Sequence, residues 1–182
     1  MNESTTGRSE PKKAGARFWA ALALVALAAC LRILPHFPNF SPVTAMALFA
    51  GAYFARTFYA IALPLAAMVL SDAVLGFHDL IPVVYGAFVL VTLLGFFLRE
   101  RRSPIRIAGL AVSGSLLFFV MTNFAVWAQG TYYPKSAAGL AECFLAALPF
   151  LQGSLVGDLF YTGALFGAWA LLERRVPSLR AA

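Results

Sequence analysis

The chain has 182 residues, of which 61% are apolar and only 12% charged, and its net charge is +6. Soluble domains carry roughly 45–50% apolar and about 25% charged residues, so the composition excludes an ordinary soluble domain. The length leaves no room for a separate soluble catalytic domain, and the positive charge sits in short clusters between apolar runs, as topology signals do, rather than on one nucleic-acid-binding face.

Residues 1–16 are polar and contain Gly, Ser, Pro and Lys, which predicts a disordered cytoplasmic tail. The first apolar run covers 17–34. Its basic lead-in (Arg8, Lys12, Lys13, Arg17) is that of a signal peptide, but the Ala-rich run continues without a cleavage-like break and reads as an uncleaved first helix. It ends at Pro35-His36-Phe37-Pro38-Asn39, where two prolines enforce extended backbone. A second run, 41–55, is short against the roughly 20 residues of a full span. Further runs follow at 57–77, 81–98 and 104–128, then a turn-rich stretch from Gln129 to Ser136. Residues 137–150 make a short apolar segment that carries Glu142 and ends at Pro149, and the last run, 153–172, stops at Glu173-Arg174-Arg175. Cys30 and Cys143 stand alone in separate runs, with neither metal-ligand spacing nor a disulfide framework.

Basic residues decide how many runs cross. Short Lys- and Arg-rich loops stay in the cytoplasm, so the N-terminal tail, the loop with Arg99, Arg101, Arg102 and Arg106, and Arg174/Arg175 belong on one side. Four runs lie between the first two clusters, so the short second run must cross. Three lie between the last two, so one must not. Segment 137–150 is the shortest and is assigned as an outer interfacial or re-entrant piece. The fold class is therefore all-α: a polytopic membrane protein of six transmembrane helices over 17–175, with a second cytoplasmic tail at 176–182. Twelve of the fourteen basic residues then lie inside, and only Arg32 and Lys135 lie outside. The expected location is a bacterial inner (plasma) membrane, with both termini cytoplasmic and lipid all around.

On this map the polar residues gather toward the outer face. Asp72 and Asn123 come late in outward-running helices, and Asp158 early in the last, inward-running one. Asn39 and His36 follow the first helix and His78 the third, while Tyr85, Trp127 and Tyr161 belong to the same outer level. An ionisable group inside a membrane helix is costly and marks either a site or a buried pair. Asp72 and Asp158 can thus hold a ligand, or Arg32 can neutralise one of them. Tyr and Trp favour the interface in any membrane protein, so their cavity role competes with simple anchoring. Ala47 and Gly51, four residues apart in the second run, allow close helix approach or docking of a partner helix. No phosphate loop, dinucleotide fingerprint, His-Glu-x-x-His or Cys pair occurs, and no cofactor or metal is expected.

Several motifs resemble a family of small, functionally uncharacterised bacterial membrane proteins. They are Pro35 to Val43, Ala47 to Phe54, Leu63-Pro64-Leu65, Ser71-Asp72, Gly76-Phe77-His78, Thr122 to Trp127, Tyr133-Pro134-Lys135 and Gly157 to Tyr161. More distantly, the chain is similar to the substrate-binding S components of energy-coupling-factor transporters, which are six-helix proteins of this size with a ligand cavity near the outer face. Ser71-Asp72 and Gly76 echo a step in the third helix of those proteins. That likeness implies an S-component-like bundle and, as partners, a transmembrane coupling protein with its ATPases. Those proteins carry their docking stripe in the first helix, whereas here the small-residue spacing lies in the second run. The leading reading is a binding or uptake protein for a small vitamin-like molecule, not an enzyme. The substrate would sit at Asp72, Asn123, Asp158, Trp127, Tyr85, Tyr161, His36, His78 and Asn39. The alternative is a scaffolding or assembly subunit that packs against another membrane protein. A lipid-modifying enzyme ranks last, since no nucleophile or metal set is assembled.

Overall fold

A computed structural model describes residues 9–35 and 37–180. Six α-helices follow in order: α1 (Ser9–Ile33), α2 (Val43–Tyr53), α3 (Thr57–Leu75), α4 (Ile81–Phe96), α5 (Pro104–Gln129) and α6 (Ala137–Arg175). A short 3-10 turn at Pro177–Leu179 ends the chain, and the described residues include no strand. Four helices, α1, α3, α5 and α6, are long and apolar enough to cross a bilayer. The protein is an all-α polytopic membrane protein.

The ends of the bundle can be read from its polar contacts. Arg17, near the start of α1, pairs with Glu173 at the end of α6 (2.9 Å) and donates to the Leu179 carbonyl. Arg99 donates to the carbonyls of Gly51 (2.9 Å) and Phe54 (3.0 Å), and Arg102 to that of Ala52 (3.1 Å). The carbonyls that α2 leaves unpaired at its C-terminus are thus capped by cations, which also complement its dipole. All these residues share one end, called here the basic end. At the opposite, far end Arg32 of α1 meets Asp72 of α3. The helices therefore alternate in direction, and both described termini lie at the basic end.

Two expectations change. Segment 137–150 is not a separate element, because α6 runs unbroken through Pro149 for 39 residues. Proline removes one backbone bond, and the Ala- and Leu-rich sequence on both sides carries the helix across it. At about 1.5 Å per residue α6 is nearly twice as long as the bilayer core is thick. The tails also carry more structure than expected. Helix α1 begins at Ser9, inside the stretch assigned to a tail, and Leu179 is buried at the other end; residues 1–8 lie outside the described residues.

Helix α2 is too short to span, at 11 residues, and it is buried from Val43 to Ala52. The bundle is built around it. Ahead of it, non-helical backbone at Pro38–Phe40 lies against α6, where Gly153 and Gly157 leave no space for a side chain: an added Cβ would stand 2.7 Å from the Pro38 carbonyl oxygen and 2.9 Å from the Phe40 Cα. Irregular backbone at membrane depth survives only where protein or a cavity surrounds it. Toward the basic end α2 packs on α4 backbone to backbone, at Gly51 and Gly95. Phe49, Tyr53, Phe166 and Trp169 close the core there, with ring centroids 4.6–5.8 Å apart.

Candidate functional site

Because α2 starts only partway through the bundle, the far-end half between α3, α5 and α6 is left unfilled. It holds a cavity of about 520 Å³, within the size range of small-molecule sites. Exposed Asn39, Leu75, His78 and Phe150 stand at its rim, and buried Thr44, Met68, Ser115 and Asp158 form its floor. Ser41, Thr122, Asn123 and Ser154 add polar groups along the walls, and Phe118 and Phe119 give them flat apolar surface. The lining is thus mixed, with hydroxyls, amides and one carboxylate set among aromatic and aliphatic groups.

Asp158 is the deepest ionisable group, with 4% of its surface exposed. The Ser115 hydroxyl lies 2.5 Å from its Oδ2, and Thr44, in the first turn of α2, lines the same floor. Ser115 is also 3.0 Å from the carbonyl oxygen of Ala111. A hydroxyl has one hydrogen, so it can donate to only one of these. The geometry accommodates either a carboxylate accepting from Ser115 or a carboxylic acid donating to it.

Asp72 has a different setting. It does not line the cavity; it lies behind the wall and is 1% exposed. Arg32 reaches its Oδ1 at 2.5 Å and also donates to Ser71. The Tyr85 hydroxyl donates to Oδ2 at 2.7 Å. Arg32 itself forms part of the cavity wall. Asp72 and Tyr85 therefore fix a cation beside the cavity rather than facing a ligand, which is the buried pair considered from the sequence.

The other residues singled out in the sequence divide three ways. Asn39, His78, Asn123 and Asp158 line the cavity. Asn39 has a positive φ of 60°, the only such non-glycine residue among those described, and its amide lies 3.4 Å from the Phe150 carbonyl. The Asn123 amide donates to Phe119 O at 2.8 Å. Trp127 and Tyr161 stand outside the cavity. The Trp127 indole donates to the Pro134 carbonyl (2.9 Å) and braces the α5–α6 turn, while Tyr161 packs on Phe40 beside a shallow surface hollow. Both fit anchoring better than ligand contact. His36 lies outside the described residues. Ala47 and Gly51 do not form a docking face, because both are buried and Gly51 is consumed by its contact with Gly95.

Thr44 and Ser115, which share the cavity floor with Asp158, gave no warning in the sequence. Hydroxyls are cheap in apolar helices because they can bond their own backbone, so they do not stand out there. A second hollow of about 500 Å³ runs along α5 and α6 toward the basic end and shares no lining residue with the first. Its walls include Ile107, Gly163, Phe166 and Gly167, which leaves it mainly apolar.

A family model described as "Family of unknown function (DUF6580)" matches residues 12–179, so the chain belongs to that family. No curated protein and no solved structure matches the chain.

Proposed function

We propose that this member of a family of unknown function is a membrane-embedded binding protein for the uptake of a small molecule, which enters the far-end cavity. The observation that carries the reading is the floor of that cavity, where Asp158, Thr44 and Ser115 meet at the end of a short half-helix. A purely structural bundle has no use for such a hollow, since unfilled space costs packing and an unpaired carboxylate costs desolvation. The basic end faces the cytoplasm of a bacterial inner membrane by the positive-inside rule, so the cavity opens outward. The site holds rather than transforms its ligand. Release inward would come from tilting of the bundle or from a coupling complex with ATPases, as the likeness to S components implies.

The rival reading, an assembly subunit, draws on the open α5–α6 groove with Gly163 and Gly167 on its wall, where an added Cβ would meet nothing within 4 Å. Small molecules retained by the purified protein separate the two. Mass spectrometry should find a compound bound to the wild type and at least tenfold less of it on Ser154→Phe, which fills the cavity. Equal retention by that variant, or no retained compound from any preparation, would favour the assembly role.

A further inference from the structure

We infer that the ligand of the far-end cavity is a cation, a protonated amine or similarly charged base on a small organic body, and that Asp158 is its counter-ion. The inference rests on the proposed binding function and adds its chemical class. Two aspartates lie buried in the transmembrane helices, and the protein treats them differently. Asp72 receives a full positive charge from Arg32 and a hydrogen bond from Tyr85. Asp158 has only a neutral hydroxyl beside it, that of Ser115. Among the described residues the ion pairs are Arg17–Glu173 and Arg32–Asp72, and neither involves Asp158.

A buried carboxylate stays charged only beside a compensating charge. The N-terminus of α2, which lines the same floor, offers about half an elementary charge, so the balance around an ionised Asp158 stays negative. Arg32 on the cavity wall is committed to Asp72, and His78 sits exposed at the rim. The floor is therefore neutral while Asp158 keeps its proton and lacks one positive charge once Asp158 is ionised, and the cavity gives a ligand direct access to it. An anionic ligand would meet Asp158 head on. A neutral one would leave it as it is. A small base satisfies the floor with its cation and lays its apolar body along Phe118 and Phe119.

The test uses the purified full-length protein in detergent and a small-molecule extract of bacterial cells. The extract is split on a cation exchanger into a retained, cationic fraction and a neutral and anionic flow-through. The cationic fraction should raise the unfolding temperature and the flow-through should not. Asp158→Asn should need at least tenfold more of the cationic fraction for the same rise, and Asp158→Glu should recover part of the response. If only the flow-through stabilises the protein, the charge assignment is wrong and the binding function stands. If neither fraction does, the binding function itself fails and takes this inference with it. An undiminished response of Asp158→Asn to the cationic fraction would remove Asp158 from the role of counter-ion.

Discussion

The two ends of this bundle are built on opposite terms, although α5 and α6 serve both. Toward the basic end, glycines bring the α2 and α4 backbones into contact, aromatic rings pack beside them and arginines cap the free carbonyls, and the hollow left there is a mainly apolar groove along α5 and α6. Toward the far end α2 is absent, the space is hollow, and hydroxyls, amides and a carboxylate face into it. The contrast lies in how the chain uses its shortest helix. Ten buried residues of α2 plug one half of the bundle, and the irregular Pro38–Ser41 stretch leaves the other half open. A tightly packed half can then hold a polar half in shape without filling it.

The largest effect should come from breaking the packed half. A Cβ at Gly51 would fall 2.1 Å from the Thr92 carbonyl oxygen and 2.9 Å from the Gly95 Cα, which are backbone atoms that cannot swing aside. Gly51→Val should therefore cost about 3 kcal/mol or more and yield little monodisperse protein on size-exclusion chromatography. Next comes the wall of the open half. Asp72→Asn strands Arg32 beside the membrane and should cost about 3 kcal/mol, read as a lower unfolding temperature. Adding Arg32→Gln should restore part of the loss, since the uncompensated cation is then gone.

Asp158→Asn tests the same chemistry where no protein cation is present. The amide oxygen can still accept from Ser115 and no charge is stranded, so the cost to stability should stay within about 1 kcal/mol. A loss as large as that of Asp72→Asn would mean that the two aspartates are both structural, and the contrast between them would collapse. The smallest change belongs to the outer surface of α6. Gly163 has open space at its Cβ, and Gly163→Ala should stabilise by about 0.5 kcal/mol through helix propensity and the unfolded chain.

Much of this arrangement was legible in the sequence, and the rest was hidden for physical reasons. Counting basic clusters required the short second run to cross with its neighbours, and Arg17, Arg99, Arg102 and Glu173 do gather at one end. The gathering of Asp72, Asn123 and Asp158 toward one end of the bundle was visible because such groups are rare in apolar helices. Which aspartate faced the cavity was not visible, since that depends on how far Arg32 reaches. Helix α2 is apolar on every side, so no periodicity told an inward from an outward face, and Gly51 read equally as a site of close helix approach or of partner docking, of which the structure has the first. Pro149 read as a break, although one lost backbone bond cannot stop a long apolar helix. Trp127 and Tyr161 have the chemistry of cavity walls and of interface anchors alike, and only their partners, Pro134 and Phe40, distinguish the two.

Water access along the bundle tests the contrast most directly. In a variant lacking Cys30 and Cys143, single cysteines would replace Thr122 or Ser154 in the hollow half and Val91 or Leu48 in the packed half. Intact cells would then meet a small, membrane-impermeant thiol reagent. The account predicts rapid labelling at Thr122→Cys and Ser154→Cys and none at Val91→Cys or Leu48→Cys. Equal protection of all four positions, or labelling confined to the packed pair, would contradict an open cavity above a sealed core.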